Sequence, residues 1–316
     1  MPVDTVLEDP LVDHPRYRKI RELNTGAFGF VLLAEDRETK ENVAIKFLPR
    51  GPRINVNVER EVLNHKNLLH HHVIQFKGVF LTRHYLAIVM EFAPGGDLMD
   101  YIRNRRGISE DLARWFFQQL IFGLDYCHRM GVANRDIKLE NTLLDESAWP
   151  LVKICDFGYS KHDITDSAPK SLVGTRPYLA PEVIFREHPK DPYDGKKADI
   201  WCCGVFLYVM MVGRYPFERQ GEDPRRDAHV IRERLKNLDY VIPPKCMSAD
   251  CEDLIRKILV VDPEARASIR DIQSHKWYEE NLPPGAKEMN ERLEYQEGLQ
   301  DEAQIRVLFE EARTRS

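Results

Sequence analysis

Two short stretches, Asn134-Arg-Asp-Ile-Lys-Leu-Glu-Asn141 and Ile154-Cys-Asp-Phe-Gly158, hold the side chains best suited to chemistry. They offer two carboxylates (Asp136, Asp156), one amide (Asn141) and one ammonium (Lys138), set beside apolar residues. Hard oxygen donors of this kind suit Mg²⁺, which keeps water and phosphate oxygens as its other ligands. Asp136 could accept a proton from an attacking hydroxyl. The bland reading is a polar loop rich in turn-forming Asp and Asn; four such groups at this spacing argue against it.

Two further features point toward phosphate. Val43-Ala-Ile-Lys46 reads as a strand ending in a lysine, and Glu61 follows in a helical stretch. A lone strand lysine is usually solvated, but a Lys–Glu pair at a half-buried edge would aim the ammonium at phosphate oxygens. In Leu23-Asn-Thr-Gly-Ala-Phe-Gly-Phe-Val31, Gly26 and Gly29 sit between two strand-like runs. That is either a plain β-turn or a hairpin whose backbone comes close to a ligand. It lacks the Gly-Lys-Ser/Thr ending of a P-loop and opens no helix, so neither that solution nor a dinucleotide fold is expected.

The chain that must position these groups has 316 residues, 43% hydrophobic and 31% charged, which excludes global disorder and fibrous repeats. Its length allows one large domain or two smaller units. The net charge of −5 argues against nucleic acid as a partner, so any phosphate site is local. Six cysteines without a C-x-x-C pair read as reduced thiols of a cytoplasmic or nuclear protein. The acidic opening lacks the apolar core of a signal peptide. The uncharged run Ile200–Gly213 is shorter than the roughly 20 residues of a membrane span, so it predicts a helix buried all round and no membrane partner.

Strand signals cover Tyr17–Asn24, Gly29–Glu35, Asn42–Phe47, Ile74–Leu81 and His84–Phe92, with one helix over Asn55–His65. Phe92-Ala-Pro-Gly-Gly-Asp97 is a turn-forming connector. Helices are predicted over Asp97–Arg105, Ser109–Met130, Asp199–Val212, Asp227–Leu238, Ala249–Val260 and Ile269–Ser274. The division is 1–16 as an extension, 17–92 as a small β-rich lobe, 93–280 as a larger helical lobe, and 281–316 as linker and tail. A cleft between the lobes is the expected ligand site. In the tail, Leu299, Ala303, Ile305, Leu308, Phe309 and Ala312 form the apolar stripe of a helix that needs a surface to cover.

In this order, the motifs resemble those of the eukaryotic protein kinases over roughly Tyr17 to Tyr278: the Gly-rich loop, Lys46, Glu61, residues 134–141, Asp156-Phe-Gly158, Ala180-Pro-Glu182, Asp199-Ile-Trp and Arg266. The resemblance implies an α+β two-lobed protein-kinase fold that uses ATP and Mg²⁺, with residues 156–182 as the activation segment. Asp136 is then the catalytic base, Lys138 neutralises the transferred phosphoryl group, and Thr175 joins the catalytic set. Lys46, braced by Glu61, holds the α- and β-phosphates, and Asn141 and Asp156 hold the metal. Leu23, Val31, Ala44 and Leu143 sandwich adenine, with Met90 as gatekeeper and Glu91 and Ala93 as its backbone partners. Gly26, Phe28 and Gly29 belong to the phosphate loop, Asp97 meets the ribose, and Glu140 is grouped with these nucleotide-side residues. Lys138 and Gly174-Thr175 resemble serine/threonine rather than tyrosine kinases.

Lys138-Leu-Glu-Asn-Thr-Leu-Leu144, Pro169-Lys-Ser-Leu-Val-Gly-Thr175, Pro192-Tyr-Asp-Gly-Lys196 and Tyr215-Pro-Phe-Glu218 resemble the plant and algal sucrose-nonfermenting-1-related kinases, subfamily 2. That family packs its late helix on the Glu61 helix and works in stress or osmotic signalling. The resemblance implies protein substrates, a type 2C protein phosphatase and an upstream kinase as partners, and a monomer. The acidic tail of its hormone-responsive members is absent after Ser316, which puts regulation through that tail in doubt. Asn24, Asn134 and Arg176-Pro177 depart from the kinase pattern. Asn134, in place of the usual His, is expected to hold the Asp156 loop less firmly. A phosphate on Ser171, or less readily on Ser167 or Thr165, could pair with Arg135 and order the activation segment. Asp97 and Glu140 match positions that contact basic residues, so Arg upstream of the target is expected. The rival readings are a pseudokinase scaffold, slightly favoured by Asn24 and Asn134, and a small-molecule kinase, disfavoured by the activation segment.

Overall fold

The computed structural model describes residues 9–26, 29–105, 107–157, 177–188, 191–223, 227–291 and 300–314. They divide into two compact units, one drawn from Met1–His70, Ile74–Phe92 and Glu294–Ser316, the other from His71–Val73 and Ala93–Leu293.

The first unit is built on an antiparallel sheet of β1 (Tyr17–Gly26), β2 (Gly29–Asp36), β3 (Asn42–Pro49), β4 (Phe76–Leu81) and β5 (Tyr85–Glu91), in the order β1-β2-β3-β5-β4. Alternation drives it: Val43, Ile45 and Phe47 are buried on one face of β3, with Leu32, Ala34, Ala87 and Val89. Leu11 and Tyr17 complete that core. The β1–β2 hairpin runs to the Gly26–Gly29 pair, further than strand propensity predicts. A Cβ on Gly29, whose φ is 147°, would lie 2.0 Å from the Phe47 carbonyl oxygen, so the strands close only with glycine there. The β4 ladder starts at Phe76 rather than Ile74. His65 takes the Ile74 carbonyl, and Glu91 bonds both backbone groups of Gln75. Helix α1 (Val56–Lys66) is capped by Asn55, whose carboxamide oxygen accepts from Asn57 and Val58.

The second unit is largely helical: α2 (Leu98–Arg105), α3 (Glu110–Arg129), α4 (Pro181–Ile184), α5 (Gly195–Val212), α6 (Ala228–Asn237), α7 (Ala249–Ile258), α8 (Ile269–Gln273) and α9 (Lys276–Glu279). A small sheet of β6 (Gly96–Asp97), β7 (Thr142–Leu144) and β8 (Val152–Ile154) joins them. Every residue of α5 from Ala198 to Met210 is buried, as its uncharged run requires. Its start lies a turn earlier than expected because Asp194 caps the backbone of Lys196 and Lys197. Gly204 lets α7 approach, since a Cβ there would lie 2.6 Å from Ile258. The Arg266 guanidinium, 1% exposed, forms a two-pronged pair with Glu182 at 2.7 and 2.9 Å. Among the described residues, no helix is long and apolar enough to cross a membrane. The tail supplies α10 (Glu302–Arg313), which belongs to the first unit, with Ile305, Phe309 and Ala312 buried against β4, β5 and α1.

Candidate active site

In the second unit, the β7–β8 hairpin carries one chemical stretch at each end. Asn141 directly precedes β7 and Asp156 lies two residues beyond β8. The Cys155 N–H and Sγ both donate to the Asn141 carbonyl, at 3.0 and 3.2 Å, which ties the two ends together. The Asn141 carboxamide donates to the Asp136 carbonyl at 3.2 Å and also to the Asp136 carboxylate. Lys138 Nζ lies 3.2 Å from that carboxylate. Burial alone would lower the Lys138 ammonium, but Asp136, with Glu140 and Asp156, raises it above its ordinary value. The pair is an acceptor carboxylate beside a cation that stays charged.

The loop is held by a buried carboxylate whose role the sequence reading missed. Asp199 is fully buried in α5 and accepts the N–H of Asn134 at 2.9 Å and of Arg135 at 2.7 Å. It also bonds His128 Nε2 at 2.9 Å. The contacts steady Arg135, whose φ of 64° lies in the left-handed region. The sequence signal was an acid at the head of an uncharged run, which a helix buries only if it has partners.

Asn134, 1% exposed, bridges the two chemical stretches. Its oxygen accepts from Asp136 N–H at 3.0 Å and its nitrogen donates to the Asp156 carbonyl at 3.3 Å. The weaker hold expected of this residue is therefore offset by two bonds from one carboxamide. Asp156 also sits at a positive φ, 55°, which the bond to its carbonyl helps to retain. Asn134→Leu strands both partners and is expected to lower kcat about 10- to 100-fold. Asn134→His should leave kcat within about tenfold of the native value. Steady-state turnover of both variants checks this.

With its nitrogen turned to Asp136, Asn141 keeps the amide oxygen as its acceptor end. That oxygen and the Asp156 carboxylate are the hard donors Mg²⁺ takes alongside phosphate and water. Among the described residues no group of three His, Cys, Asp or Glu side chains is gathered to hold a metal. Two oxygen donors of this kind suit a metal that takes its other ligands from phosphate and water. Asp97 and Leu143 pair across β6 and β7, and Asp97 caps Asp100 N–H at 2.9 Å. Ala93 is buried and Glu140 exposed. The Tyr215 hydroxyl lies 3.5 Å from Glu140 and is pushed up to about 12 by burial and the neighbouring Glu140 and Glu218 carboxylates.

In the first unit, Lys46 sits mid-β3, opposite Val31 on one side and Ile88 on the other. Glu61 lies in the middle of α1. Ala44 pairs with Met90, which is buried, and Glu91 ends β5. Leu23 and Gly26 lie on β1, and Gly29 opens β2. Phe28, Gly158, Thr165, Ser167, Ser171, Gly174, Thr175, Arg176 and, from the apolar stripe of the tail, Leu299 lie outside the described residues.

Comparison with known proteins agrees with this geometry. Residues 17–278 match the protein kinase domain, and the chain belongs to that family. It is 47% identical over 307 residues to serine/threonine-protein kinase SAPK7 of Oryza sativa subsp. japonica, covering 95% of this chain and 84% of that one. Against serine/threonine-protein kinase SRK2D of Arabidopsis thaliana it is 49% identical over 284 residues, 90% of this chain and 76% of the other. Against serine/threonine-protein kinase SRK2A of Physcomitrium patens the figures are 48% over 281 residues, 89% and 79%. The chain is thus a serine/threonine protein kinase of the sucrose-nonfermenting-1-related group, subfamily 2.

Proposed function

We propose that the chain transfers the γ-phosphoryl group of ATP to Ser or Thr of protein substrates with Asp136 as base. The observation that carries this reading is the Asp136 carboxylate, which is bonded by Asn141 and Lys138 on a loop held through Asp199. The substrate hydroxyl gives its proton to Asp136, its oxygen bonds to phosphorus, and the bond to ADP breaks. Lys138 remains charged and offsets the negative charge of the group in transit. By family resemblance, Lys46, braced by Glu61, takes the α- and β-phosphates, and Gly26, Phe28 and Gly29 are assigned to the phosphate loop. On the same resemblance, Leu23, Val31, Ala44 and Leu143 are assigned to adenine, the backbone of Glu91 and Ala93 to its polar edge, Met90 to the gatekeeper position and Asp97 to the ribose. Asn141 and Asp156 would hold Mg²⁺, which supplies charge neutralisation at the phosphates when bound. Catalysis is positioning and electrostatics, with little covalent work for the protein.

Asp97 and Glu140 give the substrate side an acidic character, so Arg upstream of the target Ser or Thr is preferred. Placing Arg upstream in a peptide series is expected to raise kcat/KM about tenfold over Ala, and Glu140→Ala to reduce that gain. A series showing no gain from upstream Arg would contradict the preference. A phosphate on Ser171 orders the activation segment through Arg135. Arg135 is exposed, and its guanidinium lies 5.8 Å from the Tyr193 ring centre. An upstream kinase, a type 2C protein phosphatase, stress or osmotic signalling, and a cytoplasmic or nuclear monomer complete the reading by family resemblance.

A further inference from the structure

A cavity of about 540 Å³ opens in the second unit, and none of its lining residues belongs to the site described above. Helix α3 forms one side with Phe122, Asp125 and Arg129, α8 and α9 form another, and residues 287–291 close it. Asn290, 4% exposed, fastens that closing segment to α3. Its Nδ2 donates to the Phe122 carbonyl and to the Asp125 carboxylate, each at 2.9 Å. The Arg129 guanidinium returns a bond to the Asn290 carbonyl. The buried Phe122 and Tyr278 rings, 6.0 Å apart, give the floor an apolar character. Walls tied in this way keep their shape before a ligand arrives, as ligand cavities generally do.

Six charged side chains line the cavity, and four of them are already matched. Asp125 receives Asn290 and lies 3.9 Å from Arg129, and Lys287 Nζ is 2.5 Å from Glu279. Arg270 and Glu291 are the other two. Among the described residues neither side chain has a hydrogen-bond or ion-pair partner, and they do not pair with each other. One cation and one carboxylate therefore stand uncommitted at the same cavity. Gln273 and Ser274 follow Arg270 by three and four residues, share its helix face and line the cavity with it. A guanidinium with an amide and a hydroxyl beside it suits a carboxylate, whereas Glu291 suits an ammonium. A simple anion would gain Arg270 but face Glu291, and a simple cation would meet the reverse.

We propose that this cavity is a binding site for a small zwitterion of the amino-acid class. The ligand's carboxylate meets Arg270, with Gln273 and Ser274 beside it, and its ammonium meets Glu291. Its apolar part lies over Phe122 and Tyr278. Such a ligand satisfies both uncommitted charges at once and leaves the matched pairs undisturbed. The site is separate from phosphoryl transfer and stands whether or not Asp136 is the base.

Calorimetric titration of the full chain with phenylalanine tests it. A Kd of about 1 mM is expected for a ligand of this size. N-acetylphenylalanine, which lacks the ammonium, and phenylalaninamide, which lacks the carboxylate, should each bind at least about fivefold more weakly. Arg270→Gln and Glu291→Gln should each weaken phenylalanine about tenfold. Glu291→Gln should leave N-acetylphenylalanine within about twofold of its native Kd, because the group that Glu291 would meet is already gone. Both side chains are exposed, so neither exchange disturbs the core, and a melting curve checks that each variant is folded. Three results overturn the proposal. They are no saturable binding up to about 20 mM phenylalanine, native affinity in either folded variant, or either derivative binding as tightly as phenylalanine.

Discussion

Asp136→Asn is expected to lower kcat about 10²- to 10⁴-fold, the usual contribution of a positioned general base, with no loss of stability. The substitution keeps the shape of the side chain and one acceptor oxygen. The backbone N–H bonded to Asn134 and the carbonyl bonded by Asn141 are untouched. What goes is the charge that pairs with Lys138 at 3.2 Å and the capacity to take a proton. Lys138 then loses the strongest influence raising its ammonium, and burial acts against it with less opposition. Steady-state turnover at saturating ATP and peptide, with a melting curve beside it, separates chemistry from folding. A variant that keeps more than about a tenth of native kcat would remove Asp136 from the role of base.

Asp199→Ala is expected to produce the largest loss of stability from a single substitution at the site, about 3–5 kcal/mol. The carboxylate is fully buried and has three partners: the N–H groups of Asn134 and Arg135 and the ring of His128. Removing it leaves the buried Asn134 N–H and His128 ring without their carboxylate partner, and the part-buried Arg135 N–H without its acceptor. Arg135 also loses the bond that steadies its left-handed backbone, so the Asp136 loop relaxes and activity falls together with stability. Asp199→Asn keeps one acceptor oxygen and should cost less, about 1–3 kcal/mol. Thermal unfolding should show Asp199→Ala melting lower by on the order of 10 °C, and Asp199→Asn in between. Equal melting points for all three proteins would show that the loop is held by something else.

The two cases show where the sequence is informative. Asp136, Lys138 and Asn141 lie within six residues of one another, so their joint chemistry is visible before any fold is known. The five long strands were legible because β-branched and aromatic residues alternate between turn signals. Strands β6, β7 and β8 were not, since two or three residues leave no period to detect. Asn134 was recognised as a departure, but its two hydrogen bonds depend on where the backbone brings Asp136 and Asp156. Glu59 illustrates the harder limit. An acid near a helix start reads as an ordinary dipole-favoured surface residue. Its partners, Arg306 and Arg313 of α10, lie 247 and 254 residues away, and only packing of the tail helix brings them together.

The most direct test of the account is phosphoryl transfer itself. Purified chain, Mg²⁺, ATP labelled at the γ-phosphate and a Ser peptide with Arg upstream should give label on the Ser hydroxyl oxygen, located by mass spectrometry. The account predicts steady turnover that is lost in Asp136→Asn. No transfer above that of Asp136→Asn, from a folded and activated native chain, would contradict it.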